Sequence, residues 1–212
     1  MRDAGPTTGA KAEPGFSSES YWTRRYRRGR NSGAGSYGRL ADYKAEYING
    51  LVKRERVRSV IEFGSGDGNQ ASLFTFENYT GIDISPLVVG TCTRRFADRK
   101  GWAFDVASGG PWEKHDLAMS LDVVYHLIED NVFDAYMGRL FDHAKRFVLI
   151  YASDHDAAAR AEHVRHRAFS AWIAEHRPDW ALVEAPPHPY PHERGADPNL
   201  TSFASFKLFR VP

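Results

Sequence analysis

The feature that most constrains the fold of this chain is a strand, a glycine-rich loop and a second strand within residues 60–83. The first strand is short and apolar, and it leads into Gly64, Gly66 and Gly68. The second strand ends on Asp83, about 20 residues after the first glycine. In open parallel α/β sheets, such a loop lets the backbone approach a ligand, and the acid accepts hydrogen bonds from ribose hydroxyls. The pattern therefore predicts a doubly wound sheet that holds a nucleoside-containing cofactor.

The spacing of the glycines distinguishes between classes of cofactor. A dinucleotide-binding fingerprint has its third glycine at position 69, which is Asn69 here. Asp67, inside the loop, would repel a pyrophosphate group because like charges disfavour each other. The Gly-x-Gly-x-Gly pattern, with Glu62 just before it, resembles motif I of the class I S-adenosylmethionine-dependent methyltransferases of the small-molecule type. Their cofactor has no pyrophosphate and carries an ammonium and a sulfonium group, beside which an acid is tolerable.

The resemblance covers the chain from about residue 20 to the C-terminus and implies an α/β fold. Its architecture is a Rossmann-like, doubly wound, seven-stranded, mostly parallel sheet with an antiparallel C-terminal strand and an N-terminal helical lid. The pattern of apolar residues predicts helices at 39–55, 70–76, 86–99, 131–143 and 157–176, and strands at 59–63, 79–84, 102–106, 116–121, 146–151, 181–184 and 202–210. Right-handed crossovers bring the ends of strands one, two and four to one edge, where we expect the site.

Size and composition favour one domain without a membrane span. Residues 1–18 are poor in bulky apolar side chains and are predicted to be a disordered tail. Residues 19–212 are predicted to form a single methyltransferase domain, in which residues 19–56 supply the lid and its helix. The net charge of +1 indicates neither a polyanion-wrapping protein nor an acidic one. The chain has neither a long apolar run nor a signal-like N-terminus, so we expect a cytoplasmic protein with no membrane partner.

The resemblance implies that S-adenosylmethionine is the cofactor and assigns residues to it. Asp83 would bind the ribose diol, Glu62 and the glycine loop the methionine part, and Asp105 the adenine amino group. Two of these acids have simpler explanations, since Asp105 suits a turn cap and Glu62 an ordinary strand end. The predicted cofactor-binding residues are Glu62, Gly64, Ser65, Gly66, Asp83, Ile84, Asp105, Val106, Leu121 and Tyr37.

The segment before the first predicted helix combines small and aromatic residues. Residues 31–38 contain glycines and serines, which favour a backbone that closes over a ligand. Trp22, Tyr26 and Tyr37 would give this lid an aromatic wall, and aromatic faces attract a sulfonium by about 0.5–2 kcal/mol. The alternative is a flexible linker with Trp22 and Tyr26 packed as a staple.

Three residues are candidates for catalysis. Methyl transfer is an in-line displacement, and it needs a general base only when the nucleophile must lose a proton early. His126 follows strand four closely and is the first candidate, while Asp154 and His155 follow the most apolar strand. The alternatives are a packed histidine at position 126 and, for Asp154, the N-cap of the next helix.

The predicted substrate-binding residues are less specific. His163 and Arg167 are four residues apart and would share a helix face, although a solvated face explains them equally well. Tyr190 lies in the proline-rich segment 186–194, which is expected to form a rim. The whole predicted set is Trp22, Tyr26, Tyr125, His163, Arg167 and Tyr190. Cys92 is the only cysteine, which excludes a thiolate metal site, and no metal is expected.

The function that these features favour is methylation of an oxygen or nitrogen on a small-molecule acceptor, such as a sugar, an amino-acid derivative or a natural product. One alternative is an RNA or protein methyltransferase that uses the basic segment 24–30, which holds five arginines. A second is a non-catalytic module that binds S-adenosylmethionine or a nucleotide. Nucleic acid is not the favoured partner, because strand four lacks the Pro-Pro-aromatic exit of base methylases. The aromatic N-terminal segment also suits packing against a second copy, as in a homodimer.

Overall fold

The structure is a computed structural model, and it describes residues 16–159, 161–193 and 195–211. The strands are β1 Val60–Phe63, β2 Tyr79–Asp83, β3 Trp102–Val106, β4 His115–Leu121, β5 Ala144–Ala152, β6 Ala157–Ala158, β7 Arg165–His166, β8 Ala181–Glu184 and β9 Ser205–Arg210. The helices are α1 Ser18–Arg27, α2 Gly38–Arg54, α3 Pro86–Arg95, α4 Asp130–Asp142 and α5 Phe169–His176. Short 3₁₀ turns lie at Ala34–Ser36, Ala71–Leu73 and Val124–His126.

The main sheet has seven strands in the order β3-β2-β1-β4-β5-β9-β8. Strands β1 to β5 are parallel, and β9 runs antiparallel to both β5 and β8. This arrangement confirms the predicted doubly wound sheet with its antiparallel C-terminal strand. The strand order reverses between β1 and β4, so their carboxyl ends flank a crevice of the kind that binds ligands in this architecture.

The core lies along the central strands, which are buried on both faces. All four residues of β1 are buried, and most of β4 and β5 is as well. Ile61, Leu117 and Leu149 are completely inaccessible to solvent. Burying a side chain of this kind contributes about 1.5–3 kcal/mol each, which explains why parallel strands are continuously apolar.

The prediction of a long helix at 157–176 is wrong. Residues 157–166 instead contain the antiparallel pair β6–β7, and the helix begins only at Phe169. Two acids define that start, because Asp156 accepts a hydrogen bond from Ala168 N at 3.1 Å and Asp154 accepts one from Ser170 N at 3.0 Å. These acids satisfy two of the backbone N–H groups at the start of α5 that have no partner within the helix. The helix predicted at 70–76 is likewise only the 3₁₀ turn at Ala71–Leu73.

The N-terminal helix is attached to the connection between β4 and α4. Residues 1–15 of the predicted tail lie outside the described residues. Ser17 caps α1 by accepting a hydrogen bond from Ser20 N at 3.2 Å. Ser18 donates from its backbone N to Glu129 Oε1 at 3.0 Å and from its hydroxyl to Glu129 Oε2 at 2.6 Å. The start of α1 is thus part of the fold.

In the part of the chain that the structure describes, no helix combines the length and the apolar character that crossing a membrane requires.

Candidate functional site

A cavity of about 490 Å³ lies where β1, β2 and β4 end. Its volume falls within the range of small-molecule sites, about 300–1,000 Å³. The strand ends contribute Glu62, Phe63, Gly64, Ser65, Gly66, Ile82, Asp83, Ile84, Leu121, Asp122 and Val123. The N-terminal segment contributes Ser17, Ser18, Glu19, Trp22, Tyr26, Ser32 and Ser36, so α1 borders one side of the cavity. The first turns of α4 border another side.

The glycine loop brings two other segments against its backbone. Gly64 and Gly66 have φ of 85° and 59°, the left-handed region that side chains disfavour. A Cβ atom at Gly64 would lie 2.3 Å from Val123 Cγ2, and one at Gly66 would lie 2.3 Å from Ser32 Oγ. The absence of side chains therefore lets the β4 exit and the N-terminal segment approach the loop.

Asp83 is held in a fixed orientation at the end of β2. Its Oδ2 accepts a hydrogen bond from Gly66 N and its Oδ1 one from Ser85 N, both at 2.9 Å. Each carboxylate oxygen keeps a second lone pair for a ligand. Burial raises the pKa of Asp83 to about 6, although the backbone hydrogen bonds oppose this rise. The acid is therefore rigid, buried and ionised at neutral pH.

Glu62 is the second buried acid of the cavity. Its side chain accepts a hydrogen bond from the Tyr79 hydroxyl, and the residue is only 2% exposed. Burial raises the pKa of Glu62 to about 7, while the Tyr79 hydrogen bond and the charge of Lys44 act in the opposite direction. A positively charged ligand beside Glu62 would favour the ionised form.

The raised pKa of Glu62 makes a testable contribution to stability. The folded protein holds the proton up to a pH of about 7, whereas the unfolded chain releases it near 4.5. The contribution is thus complete below pH 4.5 and is lost as the pH rises through 7. We expect Glu62→Gln, which does not ionise, to gain stability relative to the wild type between pH 5 and 8, by on the order of 3 kcal/mol.

Thermal unfolding of the two ligand-free proteins at several pH values measures this difference. Comparing the variant with the wild type cancels the contribution of titrating groups that do not interact with Glu62. A difference in melting temperature that stays constant from pH 5 to 8 would contradict the raised pKa.

Asp122 follows β4 in a strained backbone conformation. Its φ is 60°, which is uncommon for a residue other than glycine. One carboxylate oxygen accepts a hydrogen bond from the Tyr125 hydroxyl at 2.7 Å, and the other pairs with the ammonium of Lys44. Lys44 is fully buried on α2, with its Nζ 5.1 Å from the centre of the Tyr151 ring. Helix α2 thereby fixes the position of an acid in the cavity wall.

His126 lies on the 3₁₀ turn after β4 and lines the cavity. Its Nδ1 is 2.6 Å from the carbonyl oxygen of His163. Because a carbonyl oxygen only accepts, Nδ1 carries the proton and Nε2 is the basic nitrogen of the neutral ring. Desolvation lowers the pKa of His126 to about 4, so the ring is neutral at physiological pH. Trp22 packs edge-on against it at 4.8 Å between ring centroids.

The N-terminal segment is fastened to the glycine loop through Asp67. Ser32 N donates to Asp67 Oδ2 at 2.7 Å, and Asp67 N donates to Ser32 Oγ at 2.9 Å. The Tyr37 hydroxyl donates to the same carboxylate at 2.9 Å, and the Tyr26 hydroxyl lies 3.1 Å from Ser32 Oγ. The acid that disfavours a pyrophosphate in the loop therefore also holds the segment that borders the cavity.

The structure divides the predicted site residues into two groups. Those that line the cavity are Glu62, Gly64, Ser65, Gly66, Asp83, Ile84, Leu121, Trp22, Tyr26 and His126. Those that it places elsewhere are Tyr37, Asp105, Val106, Tyr125, His163, Arg167, Tyr190, Asp154 and His155.

Two of the predicted catalytic residues have other partners. Asp154 accepts a hydrogen bond from Ser170 N in α5 and pairs with the ammonium of Lys207, so it is not the N-cap of a helix that begins near Ala157. His155 stacks on His166 at 4.7 Å between ring centroids. Their positions do not support direct contact with a ligand in this cavity.

The residues of β3 that were predicted to contact adenine also form hydrogen bonds with neighbouring residues instead. Asp105 accepts hydrogen bonds from the Trp112 indole and from Val106 N, both at 2.8 Å. These bonds lower the pKa of Asp105, the larger effect being that of Trp112. Asp105 thus fits the turn-capping alternative, and Ala107 is the cavity residue of this connection.

The remaining predicted substrate residues stabilise the walls instead. Arg167 is only 6% exposed and donates to the carbonyls of Leu127 and Ile128 while pairing with Asp130. The Tyr125 hydroxyl donates a hydrogen bond to Asp122. His163 stacks between the rings of His126 and Tyr21, whereas Tyr190 packs under Arg39.

Some cavity residues give little signal in the sequence. Lys44 resembles any solvated helix lysine, and only the packing of α2 reveals its burial. Gln70 lines the cavity, and its position directly after the glycine loop is the signal that points to it. Among the described residues, no cluster of His, Cys, Asp and Glu side chains has the arrangement needed to hold a metal ion.

No protein-family profile and no curated protein matches this chain. Its structure is similar to magnesium protoporphyrin IX methyltransferase (ChlM) from Synechocystis with bound S-adenosylhomocysteine, with a TM-score of 0.64 and 14% identity over 92% of this chain and 98% of that one. It is also similar to the N-methyltransferase NodS from Bradyrhizobium japonicum in complex with S-adenosylhomocysteine, with a TM-score of 0.64 and 16% identity over 82% and 87% of the two chains.

A third similar structure is the methyltransferase domain of bacterial CtHen1, with a TM-score of 0.62 and 19% identity over 79% of this chain and 96% of that one. The similarity spans most of each chain, and it confirms the fold that the glycine loop predicts. At these identities the similarity establishes the fold alone, because one fold hosts many different functions.

Proposed function

Because this chain has the class I S-adenosylmethionine-dependent methyltransferase fold, we propose that it is such an enzyme and methylates an oxygen or nitrogen of a small-molecule acceptor. The observation that carries this proposal is the buried pair of acids beside the glycine loop. Asp83 has both oxygens fixed by backbone N–H groups, and Glu62 lies at the preceding strand end. Rigid acids of this kind suit a ribose diol and a positively charged amino-acid end.

The charges around the cavity support this cofactor. The acids that line the cavity are Glu19, Glu62, Asp83, Asp122 and Glu129, and among the described residues Arg139 is the one arginine or lysine that lines it. Such a wall attracts cations and repels a pyrophosphate. When bound, S-adenosylmethionine supplies an electrophilic methyl group on a cationic sulfur.

The polarity of the cavity also supports one orientation of the ligand. Ile84 and Ala107 line the cavity after β2 and β3, on the side of the sheet away from β4, and offer apolar surface to a purine ring. Glu62 and Asp122 lie toward the glycine loop and β4, where they would hold an ammonium group. The cavity is therefore apolar at one end and acidic at the other, as the proposed cofactor has a purine ring at one end and an ammonium group at the other.

The residues near β4 would act on the acceptor. The hydrogen bond from Nδ1 of His126 to the His163 carbonyl orients the ring and leaves Nε2 as the base. With a pKa of about 4, Nε2 takes up the proton of an acceptor hydroxyl only once that proton has become strongly acidic. Trp22 and the rest of α1 border the cavity and would exclude water and limit the motion of the acceptor.

Calorimetry with purified protein tests the choice of cofactor. We expect S-adenosylmethionine and S-adenosylhomocysteine to bind and to raise the melting temperature, because ligands that bind only the folded state stabilise it. We expect NAD to give no measurable heat, since its pyrophosphate meets an acidic wall. Binding of NAD together with no response to either adenosyl compound would contradict the proposal.

The basic segment supports a second candidate, methylation of RNA or protein. Arg24, Arg27, Arg28 and Arg30 are exposed, and in the part of the chain that the structure describes none of them forms an ion pair. Unpaired arginines beside the cavity suit a phosphate backbone.

A labelled methyl donor decides between the candidates when it is supplied with a metabolite extract, with RNA and with protein in separate reactions. We expect the label in the small-molecule fraction. Label in RNA or protein would establish the second candidate, and binding without any transfer would indicate a non-catalytic module.

A further inference from the structure

Gln70 has a buried amide oxygen with nothing bound to it. The residue is 4% exposed and lines the cavity directly after the glycine loop. Its Nε2 donates to the carbonyl oxygen of Ala41 on α2 at 3.1 Å. Its Oε1 has no hydrogen-bond partner among the described residues. Burying an unpaired amide oxygen lowers stability, so this atom points to a missing donor.

The orientation of the amide follows from its partner. The Ala41 carbonyl only accepts hydrogen bonds, so the amino group of Gln70 must face it. Exchanging the two ends of the amide would bring two acceptors together. The unpaired atom is therefore the oxygen, and the ligand that satisfies it must be a hydrogen-bond donor.

The position of Gln70 indicates which donor this is. The residue follows the glycine loop and is bonded to α2, and α2 also carries Lys44, whose partner Asp122 lines the cavity. Glu62 is close to Lys44, since the lysine charge influences its pKa. The apolar residues Ile84 and Ala107 line the cavity on the other side of Asp83. Gln70 thus lies at the acidic end.

We propose that Gln70 Oε1 accepts a hydrogen bond from the α-ammonium group of the S-adenosyl ligand and so selects for the amino-acid end of that ligand. This inference rests on the proposed function. An ammonium group has three N–H donors and needs several acceptors. Glu62 neutralises its charge, and the neutral amide of Gln70 adds direction without a further negative charge to bury.

Calorimetry with two ligands tests this role. S-adenosylhomocysteine has the amino-acid end, and 5′-methylthioadenosine has the same purine and ribose without it. For Gln70→Leu, we expect binding of S-adenosylhomocysteine to weaken about tenfold, because a hydrogen bond to a charged group is lost. We expect binding of 5′-methylthioadenosine to change by less than about twofold. The melting temperature of the ligand-free variant should change little, because removal of the unpaired oxygen offsets the loss of the hydrogen bond to Ala41.

A neighbouring variant separates recognition from damage to the loop. Asn69 donates from its side chain to the Ser36 carbonyl at 2.7 Å and does not line the cavity. We expect Asn69→Leu to affect the two ligands equally. An analogue of S-adenosylhomocysteine that lacks the α-amino group should bind the wild type more weakly than S-adenosylhomocysteine does. This difference should be smaller for Gln70→Leu, in which Glu62 still contacts the amino group but the amide oxygen is gone.

The outcomes distinguish this inference from the proposed function. If Gln70→Leu keeps the wild-type preference for S-adenosylhomocysteine over the analogue without the amino group, the role of Gln70 is refuted and the proposed function stands. If the wild type binds neither S-adenosylhomocysteine nor 5′-methylthioadenosine, the proposed function fails, and this inference fails with it.

Discussion

Asp83→Asn is expected to weaken the binding of S-adenosylmethionine at least about 100-fold while the protein stays folded. A ribose diol donates two hydrogen bonds to the carboxylate, and bonds to a charged acceptor contribute about 1.5–3 kcal/mol each. The amide has one acceptor oxygen, and its amino group faces a backbone N–H of Gly66 or Ser85. The raised pKa of Asp83 means that the fold favours the neutral side chain, so the substitution should not unfold the protein.

The matched control is Asp116→Asn. Asp116 also accepts a backbone hydrogen bond, from Arg58 N at 2.8 Å, but it lies at the start of β4 and thus at the opposite edge of the sheet. Calorimetry should give wild-type affinity for this variant, and circular dichroism should give the same spectrum for both. Unchanged affinity in Asp83→Asn would remove the ribose assignment.

His126→Asn is expected to lower turnover about 100-fold while the affinity for S-adenosylhomocysteine changes by less than about twofold. General-base catalysis typically contributes about 100-fold or more. The amide nitrogen of asparagine is placed to replace Nδ1 as the donor to the His163 carbonyl, whereas nothing replaces the basic Nε2. The substitution therefore removes the base and keeps the tether.

Two further variants interpret this result. His126→Gln keeps a polar atom near Nε2 but loses the tether, so partial activity in it would indicate that orientation matters more than basicity. His143 makes the same kind of bond, from Nδ1 to the Arg139 carbonyl at 2.8 Å, at the end of α4 and away from the cavity. His143→Asn should keep wild-type rates. Wild-type rates in His126→Asn would mean that no base acts at this position.

The elements that the sequence predicted well are those that local physics determines. The strand β1, the glycine loop after it and the acid at the end of β2 all follow from neighbouring residues. The sheet order then follows from the handedness of crossovers. For this reason the position of the glycine loop and of Asp83 at one edge of the sheet could be predicted from the sequence.

The parts that were not predictable depend on contacts between distant segments. The helix predicted at 157–176 begins only at Phe169, where Asp156 and Asp154 accept hydrogen bonds from backbone N–H groups. The spacing of apolar residues does not show such contacts between separated parts of the chain. The burial of Lys44 requires that α2 packs beside the β4 exit, 78 residues away along the chain. Arg167 was predicted to bind the substrate, yet it donates hydrogen bonds to carbonyl groups of the β4–α4 connection.

The attachment of the N-terminal segment at two places has a kinetic consequence. Ser18 is bound to Glu129 at one end, and Ser32 is bound to Asp67 in the glycine loop at the other. A molecule that entered between α1 and the glycine loop would cross this boundary only when at least one attachment opens. The residence time of such a molecule would then follow how often α1 detaches, and two ligands of unequal affinity would leave at similar rates.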